Sequence, residues 1–209
     1  LDELVNLEAR GYAEVANGEF VSELRTHFAP PVSAERTRGT LLRVAALLHD
    51  VAKPTTRSVD AQGAIHFYEH EPRGAEVCGA VMRRLRFSND EIEIARRVVR
   101  EHLRPAQLAR EESVSNRAAY RFFRDAGGVG VDTCVLALAD WRGKAAPPID
   151  EQEDARLRGT IATLLDRYYR VPNVVIAPMA LVEGRALMNE LKISAGPRVG
   201  ELLEAIREA

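Results

Sequence analysis

The sequence predicts an all-α protein, a helical bundle that ends in a small C-terminal helical tail. Two observations carry that expectation. Apolar residues recur at three- and four-residue spacing through most of the 209 residues, which places them on one face of a helix. Helix punctuation stands between these stretches: Ser88 and Ser115 as N-caps, Pro30-Pro31, Pro54 and Pro105 as stops, and Gly127-Gly128 as a terminator.

Taken in order, residues 1–10 form a short amphipathic piece, and residues 18–28 form a helix halted by Pro30-Pro31. The segment 38–52 is nearly all apolar from Leu41 to Leu48 and stops before Pro54, so it reads as a buried helix. Residues 55–67 alternate loosely around Asp60-Ala61-Gln62-Gly63, a small hairpin or a loop. A helix over 69–86 follows, apolar at 75, 77, 78, 81, 82 and 85. Ser88 then caps a helix over 89–103 with acids in its first turn. Ser115 caps a helix over 116–125, and 130–143 forms an apolar helix. Ala145-Ala146-Pro147-Pro148 reads as a linker, dividing a first domain, 1–146, from a tail, 147–209, that docks on it. The tail holds a long amphipathic helix over 150–170, a Pro-bounded loop, and short helices over 180–191 and 198–208.

The net charge of −2 and a pI near 6.3 give no overall nucleic-acid signature. Cationic residues are nearly all Arg, with Lys only at 53, 144 and 192. That bias has two readings: bidentate phosphate recognition, or genomic base composition. Cys78 and Cys134 sit in apolar helical contexts, as buried free thiols do. No stretch reaches the roughly 18 apolar residues of a membrane span and no signal-peptide pattern opens the chain, so the expected location is cytoplasmic. Nothing specifies an oligomeric state.

The chemistry concentrates at His49-Asp50, which closes the apolar run Leu41–Leu48. Adjacent imidazole and carboxylate suit small divalent metals, and a cation would offset the cost of a charged pair at the end of a buried helix. The alternative is an ordinary, partly exposed helix end.

The text continues His49-Asp50-Val51-Ala52-Lys53-Pro54, which resembles the HDxxK signature of HD-domain metal-dependent phosphohydrolases. His70-Glu71-Pro72-Arg73-Gly74-Ala75-Glu76 is similar to that family's HxxxGAE element. His102, and Asp140 at the close of Val135–Ala139, follow in the family's order. The resemblance implies an HD-type bundle in which His49, Asp50 and Asp140 hold a divalent metal. That metal is Mg, Mn, Ni, Co, Fe or Zn, which the donor types do not distinguish. His70 and His102 match extra ligands of two-metal members. A metal there would lower the pKa of a water for attack on phosphorus, His70 or His102 would protonate the leaving oxygen, and Lys53, Arg73 and Arg104 would neutralise phosphate charge. His66 reads as a packed or surface loop residue. Trp141 reads as core rather than as a base-stacking platform.

A narrower resemblance covers most of the chain. Leu47–Pro54, Arg83–Asn89, Arg121–Asp125, Glu183–Met188 and Gly196–Leu203 look like the helical part of bacterial tRNA nucleotidyltransferases (CCA-adding enzymes) and their poly(A) polymerase relatives. No strand-borne DxD and no Gly-Gly-x-x-Arg-Asp accompanies them, so nucleotidyl transfer by this chain alone is not expected, and a nucleotidyltransferase head domain is a candidate partner. The family's remaining metal-binding His would fall near Gly11-Tyr12-Ala13, where none stands. Loss or omission of that ligand is preferred over replacement by His27.

Glu93, Arg96, Arg97, Arg100 and Arg104 share one face by their spacing, either a solvated ion-paired face or a strip that follows RNA phosphates. Arg198, at the helix start Gly196-Pro197, could also meet a phosphate on free N–H groups. The leading expectation is a phosphohydrolase acting on nucleotide or RNA-end phosphate esters. The alternatives are a non-catalytic tRNA- or RNA-binding body and a nucleotide-sensing or scaffolding domain.

Overall fold

The computed structural model describes residues 1–33, 36–144, 149–172 and 184–208. Within them the fold is all-α, as the periodicity predicts. The helices are α1 (Asp2–Ala9), α2 (Val21–Phe28), α3 (Arg38–Leu48), α4 (Lys53–Thr56), α5 (His70–Arg84), α6 (Asn89–Glu101), α7 (Arg104–Leu108), α8 (Asn116–Ala126), α9 (Gly130–Lys144), α10 (Glu151–Arg170), α11 (Gly184–Leu191) and α12 (Pro197–Glu208). The expected linker 145–148, most of the Pro-bounded loop expected before residue 180, and the first residues of the helix expected over 180–191 fall in 145–148 and 173–183, outside the described residues.

Local chemistry sets the helix starts. Ser88 and Glu91 form a complete capping box at α6, each satisfying the other's backbone N–H. The Ser115 hydroxyl accepts from Ala118 N–H at 3.1 Å, and Asp150 accepts from both Gln152 and Glu153 N–H at the start of α10. Pro54 and Pro105 do more than end the helices before them. Each lies in the first turn of a new short helix, α4 and α7, where the missing N–H would have had no partner anyway. A turn at His49–Ala52 therefore replaces the last part of the helix expected over 38–52.

The open question at 55–67 resolves to a hairpin, β3 (Ser58–Val59) against β4 (Ile65–His66), antiparallel with Ser58 opposite His66. A second small pair, β1 (Pro31–Ser33) with β2 (Arg36–Thr37), was not expected. Strands this short cannot display an alternating pattern.

Helix α9 is the centre of the core. Every residue from Gly130 to Ala139 is buried, so the helix is covered all round. Helices α1, α3, α6, α7, α8 and α10 pack against it. Leu157, Ile161, Leu164 and Leu165 of α10 belong to the same apolar cluster as Leu41, Leu42, Phe122 and Leu136. Cys78 and Cys134 are buried and free, as expected. The closest helix pair that bears on the site is α5 with α6. A Cβ on Gly74 would lie 3.3 Å from Val99 and 3.5 Å from the His49 carbonyl, so the glycine lets α5 press against the turn after α3.

Candidate metal centre

Three helix ends meet beside the end of α9. His49 is the C-cap of α3 and His102 the C-cap of α6, while His70 opens α5 and Asp140 lies near the end of α9. In each histidine the Nδ1 faces a backbone carbonyl three residues back: Ala46 for His49, Phe67 for His70 and Val99 for His102, each at 2.7 Å. A carbonyl can only accept, so the proton of a neutral ring sits on Nδ1 and the Nε2 lone pair is left for something else.

All three Nε2 atoms turn toward Asp50. His49 Nε2 lies 3.2 Å from Asp50 Oδ2 and 3.1 Å from Asp140 Oδ1. His70 Nε2 and His102 Nε2 lie 3.5 and 3.8 Å from Asp50 Oδ1. A divalent ion with bonds near 2.1 Å holds its ligands about 3.0 Å apart in cis-octahedral geometry and about 3.4 Å apart in tetrahedral geometry. The donor spacing is of that size. Asp50 Oδ1, His70 Nε2 and His102 Nε2 are also buried without a hydrogen-bond partner. Orphaned buried polar atoms each cost about 1–3 kcal/mol, and here the orphans converge. The donor set fits a divalent cation. Among the described residues, ligand atoms of His49, Asp50 and His102 all lie within 4.8 Å of one another, with His70 and Asp140 adjoining.

The electrostatics agree. Burial opposes a charge on His49, but its hydrogen bonds to Asp140 and Asp50 outweigh burial and raise its pKa to about 9. Burial likewise pushes both carboxylates up. His49 and Lys53 nevertheless hold Asp50 well below the usual range, and His49 and Lys144 hold Asp140 at about 2. Without metal, an imidazolium proton on His49 thus stands between the two carboxylates. His102, only 1% exposed, is pushed down to about 4 by burial and is neutral at pH 7. A neutral buried imidazole suits a ligand better than a proton donor.

Two lysines flank the centre. Lys53 Nζ is 2.6 Å from Asp50 Oδ2, and Lys144 pairs with Asp140 Oδ2. The sequence reading assigned a role to Lys53 and none to Lys144. The signal was present, since Asp140 and Lys144 are four residues apart on a helix. Glu71, also passed over, lies 3.2 Å from His70 Nδ1.

Other expected residues lie apart. His27 is 3.0 Å from Asp132, which also takes the guanidinium of Arg38. Asp132 precedes Asp140 by eight residues of one helix, an axial distance of about 12 Å. His27 therefore does not stand in for the absent upstream ligand. At Gly11, in the expected place of that ligand, a Cβ would collide with the Arg25 guanidinium at 2.1 Å. His66 is paired with Asp60 and stacked on Tyr68.

The arginine stripe turns away from the centre. At about 100° per residue, Arg96, Arg97 and Arg100 project about 120°, 140° and 160° from His102 around the axis of α6. They line a groove of about 170 Å³ together with Glu93, Glu101 and Asp125. Arg96 and Arg97 pair with Glu93, and Arg104, at the start of α7, pairs with Glu101 and Asp125. Among the described residues Arg100 makes no ion pair. Arg73 is exposed and pairs with Glu69. Arg198 pairs with Glu201 on the exposed start of α12.

An all-helical bundle with His and Asp donors at converging helix ends defines a helical domain with a candidate divalent-metal site. The chain belongs to the HD domain family, whose model matches residues 18–168. It is 31% identical over 170 residues to the A-adding tRNA nucleotidyltransferase of Deinococcus radiodurans, covering 81% of this chain and 37% of that protein. It is 33% identical over 168 residues to the CC-adding tRNA nucleotidyltransferase of Thermus thermophilus, covering 80% of this chain and 35% of that protein. The match spans little more than a third of the length of these relatives. Among the described residues no helix is long and apolar enough to cross a membrane.

Proposed function

We propose that this chain is a metal-dependent phosphohydrolase unit acting on phosphate esters of nucleotides or RNA ends. The observation that carries the reading is the convergence of orphaned Asp50 Oδ1, His70 Nε2 and His102 Nε2 beside the His49–Asp140 pair. His49, Asp50 and Asp140 would hold a divalent ion, with His70 and His102 on the Asp50 side. Such an ion supplies Lewis acidity toward a phosphoryl oxygen and an acidified water for attack on phosphorus. Lys53, partly exposed at the rim, neutralises charge on the phosphate. RNA ends enter the proposal because both relatives are named as tRNA nucleotidyltransferases. A nucleotidyltransferase head is the natural partner domain. We retain the division at about 146/147 as part of the proposal.

One observation favours a second reading, a non-catalytic RNA-binding body. The upstream histidine is absent, and His27 is committed to Asp132. Elemental analysis of the purified protein and of Asp50→Ala, joined to a screen of nucleoside monophosphates, cyclic nucleotides and RNA 3′-phosphates, separates the two. Near-stoichiometric metal that the variant loses, with phosphate release, supports the hydrolase. No metal after incubation with Mn, Ni and Mg leaves the RNA-binding body.

A further inference from the structure

Beside the candidate centre lies a cavity of about 250 Å³ that neither the ligands nor the arginine groove uses. Leu103, Ala106, Ala109, Leu157 and Trp141 give it apolar walls, while Gln107, Arg110, Lys144, Glu153 and Arg156 supply polar groups. Lys144 connects it to the centre, since the ammonium that lines the cavity is the one that pairs with Asp140. Leu103 and Trp141 directly follow His102 and Asp140 in the chain.

Three features describe what fits. The volume lies just under the roughly 300–1,000 Å³ of drug-sized ligand sites, enough for one flat ring system and too little for an oligonucleotide. Trp141 is partly exposed and gives the cavity an aromatic wall. Gln107 offers a donor and an acceptor in one amide, and Arg110, without an ion pair among the described residues, is placed to lie over a ring. Apolar faces, an aromatic wall and an amide for a polar edge together describe a heteroaromatic base.

We propose that this cavity is a nucleobase subsite, in which the base of the substrate lies against Trp141 while its phosphate points past Lys144 toward the metal centre. The orientation of the phosphate rests on the phosphohydrolase reading; the base site itself does not. The base can belong to a free mononucleotide or to the terminal residue of an RNA.

Trp141 is the only tryptophan of the chain, so the intrinsic tryptophan emission comes from a residue on this cavity's wall. The test titrates the full chain with adenosine, cytidine, their 5′-monophosphates, ribose 5-phosphate and a short single-stranded RNA, with N-acetyltryptophanamide as the optical control. Saturable quenching by base-bearing ligands, at least tenfold weaker in Ala106→Phe, is expected. If that variant does not fold, Arg110→Ala, which leaves no acid unpaired among the described residues, is expected to weaken binding severalfold. Response to the mononucleotides or to the RNA identifies the source of the base, and either supports the subsite. Silence with all base-bearing ligands, an equal response to ribose 5-phosphate, or unchanged affinity in whichever variants fold overturns it. Asp50→Ala separates the two readings: adenosine quenching that survives there upholds the base site even if no metal or hydrolysis is found.

Discussion

Replacing Asp50 by alanine uncouples the thermal stability of this protein from divalent metal. Asp50 is the atom pair that all three imidazoles face, at 3.2, 3.5 and 3.8 Å. An ion at 100 times its Kd stabilises the folded state by about 2.7 kcal/mol, since the unfolded chain cannot assemble donors from positions 49 to 140. An unfolding entropy of about 2.1 cal/mol/K per residue amounts to about 0.44 kcal/mol/K over 209 residues, so the midpoint rises by roughly 6 °C. In Asp50→Ala that rise disappears. The metal-free variant loses only about 1–2 kcal/mol, because the cost of desolvating the carboxylate goes with it and Lys53 returns to solvent. The assay is thermal unfolding by circular dichroism after chelation, with Mn, Ni or Mg added stepwise. An equal metal-induced rise in the variant would place the ion elsewhere. A wild-type midpoint that no ion moves at millimolar concentration refutes the donor geometry as a metal site.

Glu91 is fully buried, where it closes the capping box of α6 and takes the Arg36 guanidinium at 2.6 and 2.9 Å. Glu91→Ala therefore costs about 3–5 kcal/mol, read as a lower urea midpoint. Burial raises the Glu91 pKa, but Arg36 and the Ser88 N–H outweigh it and hold it below the ordinary value. Its contribution is thus present above the unfolded pKa and is lost as pH falls through the folded one; Glu91→Gln flattens the acid limb of a midpoint-against-pH curve. Phe122→Ala empties a site at the centre of the core and lowers stability by about 3–5 kcal/mol in the same assay. Changing Arg96, Arg97 and Arg100 together to alanine reduces the salt slope of any RNA affinity by about 1 per lost phosphate contact. It leaves metal content unchanged, because the stripe and His102 lie on opposite faces of α6; a loss of metal would contradict that geometry.

Legibility in the sequence differed by kind of feature. Caps and stops were local, so Ser88, Ser115 and the glycines after α8 placed helix ends within a few residues. The helices before Pro54 and Pro105 end ahead of them as expected; that each proline also opens the next short helix, as in α4 and α7, was not foreseen. Trp141, read as core, does pack against the core cluster, and it also lines a cavity, which its place in the sequence does not reveal. Lys144 was overlooked although its spacing to Asp140 was visible, because a lone lysine near a helix end is ordinary until its partner has a role.

The residue types of the centre, and the helices that carry them, were determined by the sequence: periodicity and capping are written within a few residues of where they act. The family resemblance already grouped His49, His70, His102, Asp50 and Asp140; only the tertiary structure gave the distances at which they meet, and decided that His27 belongs to Asp132 and that the arginine stripe faces away. Those facts depend on how helices pack around α9. A periodic pattern tells which face of a helix is buried and says nothing of which other helix will cover it.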